Sequence, residues 1–163
     1  MLKIIYILLS ISLACLSLFA DESHCMANKG KWFNVISSNA WIMNDLNFTA
    51  NCTEITESTT TYDYGKTKNE ITSYKTSDSW VFKNRWQADS DKEWYSFYSW
   101  NYWDNNILVS KSHLYRERDH KLAWDFITTQ DFESETMTEN STYFFPIENR
   151  THKFQTIWTR QGP

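Results

Sequence analysis

One stretch of the sequence decides the fold: GKWFNVI, residues 30–36. Side chains alternate between the two faces of a strand, so Trp32, Asn34 and Ile36 would share one face of an extended segment. The large ring of Trp32 comes directly after the glycine-lysine opening, and we expect it to anchor the core. The stretch therefore predicts a β-protein whose first strand begins here.

The remainder of the chain predicts further short strands. Apolar and polar side chains alternate over residues 79–86, 107–115 and 122–126, and no long segment repeats with the helical period of 3.6. Turns are predicted at Asp63–Lys66 and Asp104–Asn106, and an acidic loop over Gln130–Asn140. About eight short strands with polar turns predict an all-β, antiparallel barrel or sandwich.

The segment Trp94–Trp103 is the most aromatic part of the chain. Rings fall on both of its faces, which is typical of a strand that is covered on both sides. Such rings can line a pocket for an apolar ligand, but more often they fill a core. We therefore expect a filled interior that does not bind apolar ligands.

Residues 1–20 have the features of a secretory signal peptide. Lys3 precedes an apolar run, and Ala20 offers a small residue for cleavage before Asp21. The run is short for a membrane span, which needs about 20 apolar residues, so we favour cleavage over anchoring. Residues 21–163 then suit one domain in the secretory pathway, extracellular or lysosomal/vacuolar, with no membrane attachment after cleavage.

The cysteine count predicts one disulfide bond. Cys15 leaves with the signal peptide, and Cys25 and Cys52 remain. In an oxidising compartment two cysteines form one bond, which would tie the start of the domain to its second strand. The chain-entropy model gives such a bond roughly 3–4 kcal/mol.

Four Asn-x-Ser/Thr sequons accompany the signal peptide. The acceptor residues are Asn47, Asn51, Asn140 and Asn149. Glycans at these residues would mark exposed surface and fit a secreted protein. In particular, we expect residues 47–53 to lie at a surface.

Charge and motifs argue against several function classes. Without Lys3, the chain has 15 Lys and Arg against 20 Asp and Glu, and this acidic balance argues against nucleic acid as a partner. His24, His113, His120 and His152 lack metal-ligand spacing, and no nucleophile motif or paired acid and base stands out. We expect no catalytic residues, metal or cofactor in this chain.

The residues from Asp21 to Phe132 resemble the exclusion domain of cathepsin C, or dipeptidyl peptidase I. The resemblance depends on the order of several short elements: Asp21, Cys25, Gly30-Lys31-Trp32, Asn51-Cys52-Thr53, Tyr62 to Gly65, and aromatic strands resembling Trp94 to Tyr98 and Ile107 to Trp124. It implies an antiparallel β-barrel that is non-catalytic and whose first two cysteines are bonded.

The same resemblance implies a partner. In that family the domain blocks one end of a papain-like cysteine peptidase cleft, and its terminal aspartate binds the free amino group of the substrate. Here Asp21 would have that role. The family's second disulfide is missing from this sequence, and so is its sequon at the first cysteine. No papain-like domain follows either, so we expect any peptidase to be supplied separately.

An alternative resemblance is to the lipocalins, which are β-barrel carriers of small apolar ligands. Gly30-Lys31-Trp32 is similar to the opening motif of that family, in which a late arginine packs over the tryptophan. Arg160 could be that arginine. The fold expected from both resemblances is a lipocalin-like barrel of about eight strands. A secreted adhesion or structural domain is a third possibility.

Overall fold

The computed structural model describes residues 25–88, 92–146 and 148–162. The predicted signal peptide, Asp21 and His24 lie outside these residues. The described chain contains a helical turn at residues 25–27, followed by ten strands. The strands are β1 (Gly30–Ser37), β2 (Ala40–Phe48), β3 (Glu54–Asp63), β4 (Lys66–Lys75), β5 (Val81–Gln87), β6 (Trp94–Asp104), β7 (Ile107–Arg116), β8 (Lys121–Phe132), β9 (Thr136–Phe145) and β10 (Arg150–Thr159).

All ten strands belong to one antiparallel sheet with the order β4-β3-β2-β1-β10-β9-β8-β7-β6-β5. The predicted all-β, antiparallel class is confirmed. The strand number is ten instead of about eight, and the sheet is not closed into a barrel, because β4 and β5 are its two edges in the described chain. Residues 130–140, which were predicted as an acidic loop, instead form the end of β8, a short connection and the first part of β9.

The sheet nevertheless curves strongly. Phe48 of β2 and Trp103 of β6 are six strand spacings apart along the sheet, or about 29 Å if it were flat. Their ring centroids are only 5.7 Å apart. Register shifts in β1, β5 and β8, at which β-bulges bend a strand, accompany this curvature. The sheet therefore has an inner and an outer face.

The hydrophobic core lies at one end of the inner face. Its buried residues are Cys25, Trp32, Leu46, Phe48, Cys52, Ile55, Leu108, Phe132, Met137 and Trp158. Trp32 has no exposed surface, and its ring contacts Phe132 edge-on. The prediction that Trp32 anchors the core is confirmed.

The predicted Cys25–Cys52 disulfide bond is present, with 6.0 Å between the Cα atoms. It joins the helical turn to the connection between β2 and β3, so the prediction that Cys52 lies in the second strand is wrong. Asn28 of the same turn donates a hydrogen bond to Asn106 in the β6–β7 hairpin. These links hold the helical turn over the core end of the sheet.

Arg160 packs over the first strand at this end. Its guanidinium lies 4.0 Å from the centroid of the Trp32 ring and donates hydrogen bonds to the carbonyl oxygens of Lys29 and Ala27, at 2.7 and 2.6 Å. Gly30 has a φ of +116°, and a Cβ there would approach Nη1 of Arg160 to 3.0 Å. The glycine of the opening motif is thus required both by its backbone conformation and by the close arginine.

Candidate binding site on the inner face

A polar belt lies on the inner face beside the core. Glu57 of β3 is the register partner of buried Leu46, and Gln130 of β8 is the partner of buried Leu108. Directly opposed residues share a face of the sheet, so Glu57 and Gln130 point to the same side as the core. Glu139 of β9 is in turn the partner of Gln130 and joins them there.

Two carboxyl groups of the belt influence each other across the curved sheet. Burial raises the pKa of Glu57 to about 7, and the negative charge of Glu139 adds to this rise. Burial and the charges of the same two residues raise the pKa of the Tyr74 hydroxyl well above its ordinary range. Both effects arise because an ionised group is poorly solvated here and faces like charge.

The belt has more hydrogen-bond acceptors than donors. Asn44, which is 4% exposed, donates from Nδ2 to Glu57 Oε1 at 2.5 Å. Gln130, which is 6% exposed, donates from Nε2 to Glu139 Oε2 at 3.0 Å. The carbonyl oxygens of both amides have no partner among the described residues, and neither has the buried hydroxyl of Ser99. Buried polar atoms of this kind normally have a partner, so these oxygens could accept hydrogen bonds from a bound donor.

An open groove of about 590 Å³ continues from the belt along β9 and β10. Its lining residues alternate along both strands and are Glu139, Ser141, Tyr143, Phe145, Arg150, His152, Phe154 and Thr156. β1 and β10 share one register pair, Phe33 with Thr159, so most of β10 has no hydrogen-bonded neighbour on the β1 side. The predicted filled interior therefore applies to the core end, and the other end is a groove.

The groove has aromatic walls and a charged rim. Tyr143 stacks on Phe126 with centroids 4.3 Å apart and meets the ring of Phe154, which is 57% exposed, at 5.8 Å. Arg150 at the rim lies over the Phe145 ring and forms an ion pair of 2.9 Å with a neighbouring glutamate. A ligand there would meet apolar surface first and the acidic belt at the inner end.

The outer face has a second aromatic cluster. Trp80 stacks on His113 with ring centroids 3.8 Å apart. Nε2 of His113 lies 3.2 Å from Asp125 Oδ1, and its Nδ1 lies 3.3 Å from the Tyr115 hydroxyl. In β6 only the end residues Trp94 and Asp104 are exposed, and the residues between them are buried or half-buried on both faces, as expected for a strand that is covered on both sides. Within the described ranges, no three His, Cys, Asp or Glu residues are grouped to hold a metal ion.

The four predicted glycosylation residues differ in their exposure and in the secondary structure around them. Asn51 and Asn149 lie in exposed turns, and Asn140 is exposed within β9. Asn47 lies inside β2 and is partly buried, which differs from the predicted surface location of residues 47–53. The Asn51 side chain accepts hydrogen bonds from the Thr49 and Thr53 hydroxyls.

Sequence reasoning missed the residues of the belt. Glu57 lies in a polar, Thr-rich segment, and Glu139 lies in the segment predicted as an acidic loop. The one available signal was the alternation that places Glu57 two positions from Ile55 on the same strand face. That signal does not reveal that Glu139, which lies 82 positions later in the sequence, is close to Glu57 in the folded chain.

No protein-family model matches this chain, and no curated protein matches it. Among solved structures, secretory abundant heat soluble protein 4 from Ramazzottius varieornatus is similar, with a TM-score of 0.48 and 11% identity over 82% of this chain and 94% of that one. No helix in the described ranges is long and apolar enough to cross a membrane.

Proposed function

We propose that this chain is a secreted, non-enzymatic binding protein that carries a small, largely apolar ligand on the inner face of its sheet. The observation that supports this most directly is the groove of about 590 Å³ with aromatic walls and a polar inner end. Ligand sites commonly have such a volume and combine apolar walls with a few polar groups. The contact of Arg160 with Trp32 also agrees with the lipocalin resemblance.

The test is a pair of tryptophan substitutions on one strand. Thr156 lines the groove, whereas its neighbour Gln155 is exposed, points to the other face and bonds Asn140. Thr156→Trp should fill the inner end of the groove and abolish binding of the neutral fluorescent probe N-phenyl-1-naphthylamine. Gln155→Trp should leave binding intact.

Equal binding to both variants would place the probe outside the groove, and absence of saturable binding to the unmodified chain would refute the carrier proposal. Thermal melting of each variant checks that the fold is retained. Phe154→Ala, which removes an exposed wall of the groove, should weaken binding without loss of stability.

The role expected from the cathepsin C resemblance stays a prediction, since Asp21 lies outside the described residues. Cys25 is tied to the core end of the sheet, so an arm from Asp21 would start there. A pull-down from the secretory pathway would compare the chain with an Asp21→Ala variant. Recovery of no cysteine peptidase would refute docking, and unchanged dipeptide release would remove the role of Asp21.

A further inference from the structure

The acidic belt determines which ligand chemistry the groove accepts. We propose that the inner face binds the protonated amino group of an apolar amine, with Glu57 and Glu139 as its charged contacts and the free amide oxygens of Asn44 and Gln130 as further acceptors. This inference rests on the proposed binding function, and it adds the class of ligand.

The hydrogen-bond arrangement favours a donor with several N–H groups. Each amide of the belt uses its NH₂ group on a carboxylate, which leaves its carbonyl oxygen unpartnered although the side chain is more than nine-tenths buried. An ammonium group has three donors and no acceptor. It would therefore supply partners to the two free amide oxygens.

The charge distribution disfavours the opposite class of ligand. The side chains that form the belt, Glu57, Glu139, Asn44, Gln130 and Tyr74, are acidic or neutral, so they offer no cation to the carboxylate of a fatty acid. Arg150 lies at the outer rim and is already paired with Glu148. A carboxylate ligand that reached the belt would face Glu139 directly.

The groove and the belt together define the shape of the ligand. Glu139 belongs both to the groove lining and to the acidic pair, so the two regions are continuous. The walls formed by Tyr143, Phe145 and Phe154 suit an aromatic or aliphatic body. A ligand with an apolar body and one terminal ammonium group would satisfy both regions at once.

The test uses three ligands with one apolar body: 4-phenylbutylamine, 4-phenylbutanol and 4-phenylbutyrate. Isothermal titration calorimetry at pH 8 should show the amine binding at least about tenfold more tightly than the alcohol, with the carboxylate weakest. Glu57→Gln and Glu139→Gln should each reduce amine affinity about tenfold and leave alcohol affinity unchanged. Glu54→Gln, an exposed glutamate that lies on the same strand as Glu57 but points to the other face, is the matched control and should change neither.

Equal or tighter binding of the alcohol or the carboxylate would overturn the inference and leave the carrier function standing. The same holds if amine binding is insensitive to both substitutions in the belt. If none of the three ligands binds the unmodified chain although N-phenyl-1-naphthylamine does, the amine preference alone is refuted, and if the probe does not bind either, the carrier function is refuted with it.

Discussion

Replacement of Glu57 by glutamine should stabilise the free protein at alkaline pH and leave it unchanged in acid. The pKa of Glu57 is about 7 in the folded chain, against an ordinary value of 4.5. The folded state therefore holds a proton that the unfolded state has released between these two pH values, and the free energy of unfolding falls as pH rises through this window. Below about pH 4.5 the carboxyl is protonated in both states and contributes no difference.

The magnitude follows from the pKa difference. Each pKa unit corresponds to about 1.36 kcal/mol, so the rise of Glu57 from 4.5 to about 7 costs the folded protein about 3 kcal/mol at pH 8. Glutamine has the shape of the protonated acid and keeps an acceptor for the amide of Asn44. The variant should therefore be about 3 kcal/mol more stable at pH 8 and equally stable at pH 4.

Urea unfolding followed by tryptophan fluorescence, at intervals from pH 4 to pH 8.5 with the disulfide intact, measures this difference. Glu70→Gln is the control, because Glu70 is exposed and forms a surface ion pair with Lys68. Such a pair contributes about 0–1 kcal/mol. A Glu57 variant that is less stable at pH 8, or whose gain is the same at pH 4 and pH 8, would refute the assignment of Glu57 as a buried, repelled carboxyl.

Three further predictions concern the same structure. Trp32→Ala should lower the free energy of unfolding by about 3–5 kcal/mol, because the ring is fully buried, and a loss below about 1 kcal/mol in urea unfolding would contradict its place in the core. Gly30→Ala should cost roughly 1–3 kcal/mol, since alanine resists a φ of +116° and its Cβ would crowd Arg160, and an unchanged melting temperature would exclude this strain. The affinity for 4-phenylbutylamine should fall about tenfold from pH 8 to pH 5.5, as Glu57 takes up a proton opposite Glu139 and Tyr74. A pH-independent affinity would show that the amine does not contact this carboxyl.

An ionisable residue that destabilises the free protein is a reasonable feature of a binding site. A ligand ammonium beside Glu57 would stabilise the ionised carboxylate. Binding would therefore relieve the destabilisation that this carboxylate causes in the free chain, and this relief would add to the affinity for the ligand. The same residue therefore links the stability of the empty protein to the ligand class proposed for it.

The sequence by itself determined the β class, the disulfide and the anchor of the core. The alternation of side chains between the two faces around Trp32 is a local property of the strand, so it does not depend on how the other strands are arranged. The Cys25–Cys52 pairing followed from the count once Cys15 was assigned to the signal peptide. The turns at residues 63–66 and 104–106 were also predicted correctly, because Asn, Asp and Gly favour the turn conformation locally.

The direction in which each strand face points, and the distant residues that meet, depend on how the strands pair and curve in the folded chain. A polar side chain on a strand has the same sequence signature whether it faces solvent or the inside of a curved sheet, so residues 130–140 resembled a loop and Glu57 resembled surface. Strand pairing places Glu139 beside Gln130, and the curvature of the sheet brings the charge of Glu139 to Glu57 from a strand four positions away. The acidic belt exists because of this curvature, which is a property of ten paired strands and of no single segment.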